Sequence, residues 1–412
     1  MKIIHVPPRY FPAISGSEFY FQRISEILKG KHSIEVHCTN ALDFGAFHDT
    51  SGKIISSRNF PERVNGVDVY RHSIDFDGDA INNEINHLNE TILSGGDFHE
   101  ASISKNGPYS KSLREHLEEK SMDLIHATCF PYMNIFQALS IARMKTIPCL
   151  VTPFIHGENP RYQDESISLL NHFTKILACS RSEADFLTKK GIDEKKIEQI
   201  TMGVDVDRYM KATQGEFLEY AGIEGEKSKI VLFCGYKNYE KGAISLLKTI
   251  PNVVRRIPGC KFVMIGPSTT QYNLELKKLG RLRKNVINLN PASLSGYFDG
   301  KKLGAFQACD IYVMPSRSEA YGIAYLEAWA SKKPVISSNI PAMKDLFQHG
   351  KEGLQVTFDN VKDIARSIIQ LLEDGQLREK MGQNGFQKIQ DENLTWKSVS
   401  ERISTIYHDT VA

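Results

Sequence analysis

Two carboxylates eight positions apart, Glu319 and Glu327 (327 − 319 = 8), carry the most specific chemistry in this 412-residue sequence. They lie in PSRSEAYGIAYLEAWASKKPVI, Pro315 to Ile336, just after the apolar run Ile311 to Met314. The stretch reads as the end of a buried strand, a turn holding Glu319, and a helix of about three turns stopped by Pro334. The backbone N–H groups of Ala320, Tyr321 and Gly322 are placed to open that helix, where an anion is favoured and glycine permits close approach. At ~1.5 Å of rise per residue, Glu327 lies roughly 8–9 Å along the helix from those amides. That is about the span from a diphosphate to a ribose, so the spacing suits a nucleotide sugar. Glu327 would accept from ribose hydroxyls and Glu319 from hydroxyls of the transferred sugar, both as charge-assisted bonds. The plainer alternative makes Glu319 an acid near the helix cap and Glu327 an exposed helix acid.

Other candidates lie at the ends of strand-like runs. In VLFCGYKNYEKG the loop from Gly235 to Gly242 carries Lys237 and Lys241, two cations on the side of the Glu319 turn and suited to a diphosphate. His126 (DLIHATCFP) ends one run and His156 (VTPFIHGE) follows the next, on the face where open α/β sheets bind ligands; each also has a structural reading. Gly16, in PPRYFPAISGSEF, sits where a loop after the first strand passes close to a ligand, or simply opens a helix with Ser17 and Glu18. Cys129 lies near His126, but nothing beside them supplies the orienting group a thiol nucleophile needs. The acids from Asp75 to Asp79 fail as a calcium loop, because Ala80 and Asn86 stand where glycine and glutamate are required. No essential metal is expected.

The elements that must position these groups alternate between strand-like and helical runs, as in parallel sheets built from βαβ units. Strands are expected near Lys2–Val6, Ile34–Cys38, Val67–Arg71, Leu124–His126, Cys149–Thr152, Ile176–Cys179 and Ile197–Thr201. A second series runs through Ile230–Cys234, Phe262–Ile265, Val286–Leu289, Ile311–Met314, Pro334–Ser337 and Leu354–Val356. The length suits two domains, each with its own core, and the change falls near Gly203-Val204-Asp205. In the first helix Tyr20, Ile24, Ile27 and Leu28 form the core stripe, while Phe19 and Phe21 lie off it and are open to a lipid, a partner or ordinary packing. Residues Phe76 to Met122, interrupted by Gly95-Gly96, read as an excursion over the surface. A net charge of +2 with 24% charged residues gives no bias towards nucleic acid. Seven cysteines without a C-x-x-C pair, and no stretch apolar enough to span a bilayer, point to a cytoplasmic protein.

The Pro315–Ile336 stretch resembles the E-x7-E signature of family 4 of the retaining glycosyltransferases, matched here by Pro315, Ser316, Glu319, Tyr321, Gly322, Glu327, Ala328, Pro334 and Val335. Lys241-Gly242 matches the K-G of that family's phosphate loop, where Tyr236 replaces the usual Arg and Lys237 is the candidate substitute. ITMGVDVDRY resembles the family's domain-crossing segment, which makes Asp205-Val206-Asp207 a hinge rather than a metal motif. His126 keeps the first member of an H-x-H, and Thr128 replaces the second. The resemblance implies a GT-B fold: α/β, with two doubly wound Rossmann-like domains facing a central cleft. Residues 1–205 would bind the acceptor, 206–390 the nucleotide sugar, and 391–412 would form a helix packing back on the first domain. It implies retaining transfer of a sugar from a UDP- or GDP-linked donor to an acceptor hydroxyl, with no further cofactor. Catalysis would fall to Glu319, Lys241, His156, and His126 or Thr128. Donor binding would fall to Gly16, Gly235, Lys237, Lys241, Glu319, Tyr321, Gly322 and Glu327. The acceptor would be a carbohydrate or a lipid-linked precursor, with peripheral contact at the inner membrane face through Arg23, Lys29 and Lys31. The alternatives are a GT-B sugar-nucleotide epimerase and a non-catalytic nucleotide-sugar binding module.

Overall fold

The computed structural model describes residues 1–412 except 14, 58, 94–105, 163–164, 224 and 226–227, so Gly95-Gly96 lies outside the described residues. The chain divides into two compact units: Met1–Thr201 with Trp396–Ala412, and Met202–Thr395.

In the first unit the strands are β1 (Lys2–Val6), β2 (Ser33–Thr39), β3 (Glu62–Val64), β4 (Val67–His72), β5 (Leu124–Thr128), β6 (Cys149–Thr152), β7 (Lys175–Ala178) and β8 (Ile197–Gln199). They form one sheet in the order β3-β4-β2-β1-β5-β6-β7-β8. All its pairings are parallel except β3 on β4. That hairpin closes over Asn65-Gly66, both at positive φ (47° and 81°), the conformation a tight β-turn needs. The winding reverses between β1 and β5, so the loops after these two strands border a topological switch point.

Both faces of the first helix, Gly16–Leu28, are covered, which explains the burial of Phe19 and Phe21. Phe21 packs on His5 and His126, and Phe19 meets Trp396 of the last helix, Trp396–Val411, edge to face. Neither phenylalanine is open to a lipid or partner. Of the basic residues nearby, Arg23 pairs with Glu26, and Lys29 donates to the carbonyl of Asn65. The excursion from Phe76 is no surface flap in its described parts. Ile85, Leu88, Ile92, Leu113 and Leu117 join the core with Ile4, Val6, Ile125 and Ala127 of the sheet.

The second unit holds β9 (Ile230–Cys234), β10 (Lys261–Ile265), β11 (Val286–Leu289), β12 (Ile311–Met314), β13 (Val335–Ser338) and β14 (Gly353–Val356). The sheet is wholly parallel, ordered β11-β10-β9-β12-β13-β14, with its reversal between β9 and β12. Such strands are buried on both faces and read as continuous apolar runs, here IVLFC, KFVMI and IYVM. The chain enters and leaves this unit side by side, Val204 bridging to Thr395. No helix among the described residues is long and apolar enough to cross a membrane.

Candidate active site

The loops after β9 and β12 meet at the second unit's switch point, and glycines set how closely. Gly242 has φ +74°, and a Cβ there would lie 2.2 Å from the carbonyl oxygen of Pro315. Lys241, one residue earlier, is thereby carried to Glu319, with Nζ 2.8 Å from Oε2. Ser316 Oγ donates to the other carboxylate oxygen at 2.7 Å. The Glu319 side chain is 6% exposed and that of Lys241 26%, so the pair is embedded but reachable.

The helix beyond is shorter and later than the sequence suggested: Ile323–Ala330, eight residues, with Gly322 at its cap. Gly322 has φ +96°, and a Cβ there would come within 2.5 Å of the Tyr325 ring. Ala320 and Tyr321 therefore precede the helix, and the amides that open it are those of Ile323 and Ala324.

Glu327 is not an exposed helix acid. It is 2% exposed, with Oε1 2.8 Å from Lys302 Nζ and also accepting from the Tyr209 hydroxyl. The ammonium lies 3.4 Å from the centroid of the Tyr297 ring. Burial and the charge of Glu327 push the Tyr297 hydroxyl well above the ordinary phenol range. Oε2 of Glu327 is itself buried, with no hydrogen-bond partner among the described residues. Tyr209, Tyr297 and Lys302 went unnoticed in the sequence, where they stand 118, 30 and 25 positions before Glu327 (327 − 209, 327 − 297, 327 − 302).

The two lysines of the phosphate loop part company. Lys237 is fully buried, and its Nζ approaches Asn290 Oδ1 at 2.9 Å and both Asn288 Oδ1 and the Met264 carbonyl at 3.4 Å. Burial lowers its pKa to about 8. Its ammonium is thus turned into the protein, while the side chain of Lys241 keeps contact with solvent. Gly235 underlies the same loop: a Cβ on Gly266, at φ +126°, would lie 2.0 Å from the Gly235 carbonyl oxygen.

The first unit's candidates do not assemble into a reactive group. His126 is fully buried, with Nδ1 2.6 Å from the Tyr407 hydroxyl and Nε2 2.8 Å from Thr152 Oγ1. Desolvation and the neighbouring His5 hold its pKa well below the usual imidazole value. Such a ring is braced, not available as a base. Thr128 is likewise buried and donates its hydroxyl to the Thr152 carbonyl at 2.7 Å, so it does not offer that hydroxyl to a sugar. Burial pushes the Cys129 thiol up to about 12, which removes it as a nucleophile. His156 is half-buried, its ring stacked on Tyr162 at 6.0 Å between centroids. The residue before it is anchored by the buried Glu183, which accepts from the amides of Ile155 and Cys179; burial raises that carboxyl to about 7. Gly16 is exposed at the first position of its helix, and the same turn is tied down by the buried Arg9–Glu18 pair at 2.8 Å.

Asp207 makes only a loose pair with Lys211 at 3.9 Å, and among the described residues no group of three or more His, Cys, Asp or Glu side chains is placed to hold a metal ion.

Comparison with known proteins fits this geometry. Residues 220–388 match the family described as Glycosyl transferases group 1, and residues 65–208 match Glycosyltransferase Family 4, together 169 + 144 = 313 of 412 residues. The chain belongs to glycosyltransferase family 4. Among its relatives, the sulfoquinovosyl transferase SQD2 of Arabidopsis thaliana is 26% identical over 68% of this chain and 55% of its own length. This chain thus spans little more than half of that relative. Among solved structures, Anabaena HepE in complex with UDP-glucose superposes with a TM-score of 0.72 at 15% identity, covering 99% of this chain and 100% of that one. The catalytic domain of starch synthase IV from Arabidopsis thaliana, bound to ADP and acarbose, gives 0.69 at 14% identity over 100% and 99% of the two chains. The fold of this family 4 member is GT-B.

Proposed function

We propose that this family 4 protein transfers a sugar, with retention, from a UDP- or GDP-linked donor to an acceptor hydroxyl. The observation that carries the reading is the Lys241–Glu319 pair, 2.8 Å apart, at the switch point where the helix Ile323–Ala330 begins. A diphosphate would take Lys241 from Glu319 and rest near the opening amides, while Glu319 turns to hydroxyls of the sugar. Lys241 then stabilises the charge that develops on the departing phosphate. Glu327, braced by Lys302 and Tyr209, would hold the ribose with its remaining oxygen.

Front-face displacement fits these groups. The bond from the anomeric carbon to the phosphate oxygen breaks, the bond to the acceptor oxygen forms on the same face, and the acceptor proton passes to the leaving phosphate. No protein base is needed, in keeping with a braced His126. Residues 1–205 would supply acceptor contacts from the strand-end loops, His156 among them, and the acceptor class would be a carbohydrate or a lipid-linked carbohydrate. No divalent ion is called for, because Lys241 and the helix amides supply the neutralisation.

The reading is tested by incubating the full chain with UDP- and GDP-sugars and following nucleotide release and the sugar product by NMR. Nucleoside diphosphate and an α-configured product from an α-linked donor are expected. A sugar nucleotide epimerised with its diphosphate intact would replace transfer with epimerisation.

A further inference from the structure

A second polar cluster, at the carboxyl ends of β9, β10 and β11, takes no part in the ion pairs above. Its centre is Lys237, a buried ammonium faced by no carboxylate among the described residues. Carbonyl oxygens surround it instead: Asn290 Oδ1 at 2.9 Å, Asn288 Oδ1 at 3.4 Å and the Met264 carbonyl at 3.4 Å. The Tyr272 ring lies 5.4 Å away, and its hydroxyl donates to Asn288 Oδ1 at 2.7 Å.

An ammonium has three donors and no acceptor, so the atom that each asparagine turns towards it must be the amide oxygen. Ser268 Oγ donates to the same Asn290 oxygen at 3.2 Å. With Oδ1 engaged twice, the Nδ2 of Asn290 points the other way. Asn290 is exposed at the end of β11, and this NH2 donates no hydrogen bond to the protein among the described residues. The loop that starts at Asn290 reaches Tyr297 seven residues later (297 − 290 = 7), and Tyr297 packs on Lys302, the partner of Glu327. A fixed donor thus opens the short loop whose Tyr297 packs on the cation that pairs with Glu327, the acid assigned to the ribose, at the strand ends where open α/β sheets bind nucleotides.

We propose that Asn290 reads the nucleobase of the donor through Nδ2–H and that Lys237 is the positioning residue that fixes its orientation, so that the site selects bases bearing a carbonyl oxygen, uracil or guanine, over those bearing an amino group there, cytosine or adenine. Uracil O4 and guanine O6 accept a hydrogen bond, while the amino groups of cytosine and adenine donate. A donor opposed to a donor leaves both unsatisfied and costs on the order of tenfold in affinity. A side chain held by surface solvent alone would rotate its amide and accept either class; the buried ammonium forbids that rotation. The inference rests on the second unit being the nucleotide-sugar site.

The test is calorimetric titration of the full chain with UDP, CDP, GDP and ADP, repeated on Lys237→Met, Asn290→Ala and Lys241→Ala. Asn290 is exposed, so its variant keeps the test meaningful should Lys237→Met fail to fold. UDP is expected to bind about tenfold more tightly than CDP, and GDP about tenfold more tightly than ADP. Both ratios should fall to within about threefold in Lys237→Met and Asn290→Ala, while Lys241→Ala weakens all four nucleotides alike and leaves the ratios intact. CDP or ADP binding as well as its carbonyl counterpart, or ratios untouched by both base-site variants, overturns the inference and leaves the donor-site reading standing. Failure of all four nucleotides to bind overturns both.

Discussion

The two switch points of this molecule place polar residues on or after their bordering strands and use them in opposite ways. In the first unit the groups on β1 and β5 are sealed: His5 and His126, both inside their strands, share the Tyr407 hydroxyl, and Thr152 closes the other side of His126. In the second unit the groups after β9 and β12 form an ion pair that keeps a quarter of the Lys241 side chain in contact with solvent. Position beside a switch point is therefore not enough to mark a reactive residue. What separates the two is whether the local partners leave a donor or acceptor to spare.

The contrast can be broken at several points. The largest effect is expected from Lys302→Ala, which strands Glu327 in the interior without its cation and should cost about 3–5 kcal/mol in stability by denaturant titration. A loss below about 1 kcal/mol would show that Glu327 relies on the tyrosines alone. Next comes Glu319→Ala: removal of the group proposed to hold the reacting sugar should slow transfer about 100-fold, close to 2.7 kcal/mol. Tyr209→Phe removes one hydrogen bond to a charged acceptor and should cost about 1.5–3 kcal/mol, visible as a lower melting temperature.

The last prediction concerns acid. Burial lowers His5 and His72 to about 3 and His37 to about 4, and among the described residues every histidine but His349 lies in the first unit. Below about pH 6.5 the unfolded chain binds protons that these folded rings refuse, so stability falls as pH drops from about 6.5 towards 3. Hydrogen exchange at pH 5 should accordingly show the first unit opening before the second, with the reverse order counting against the sealed-cluster account.

Much of this was legible in the sequence. Strand ends fall within two residues of expectation, because continuous β-branched runs flanked by turn residues have few other ways to fold. Lys237 and Lys241 were both expected to face the Glu319 turn, and the structure pairs Lys241 with Glu319. β3 was missed because three residues, ERV, give no apolar run, although Asn65-Gly66 was a hairpin signal. Lys237 and Lys241 could not be told apart by type, since four positions along a loop decide which one turns inward. The partners of Glu327 come from three separate elements, and no local pattern brings Tyr209, Tyr297 and Lys302 together. The first helix was assigned one buried face, yet His5 on one side and Trp396 on the other cover two.

The most direct measurement is nucleotide release from a UDP- or GDP-sugar by three full-length variants side by side: Lys241→Ala, Glu319→Ala and His126→Gln, each first shown to be folded. The account predicts release slowed about 100-fold in the first two and within about threefold of the unaltered protein in the third. Release that survives loss of Lys241 and Glu319 but collapses with His126→Gln would contradict it.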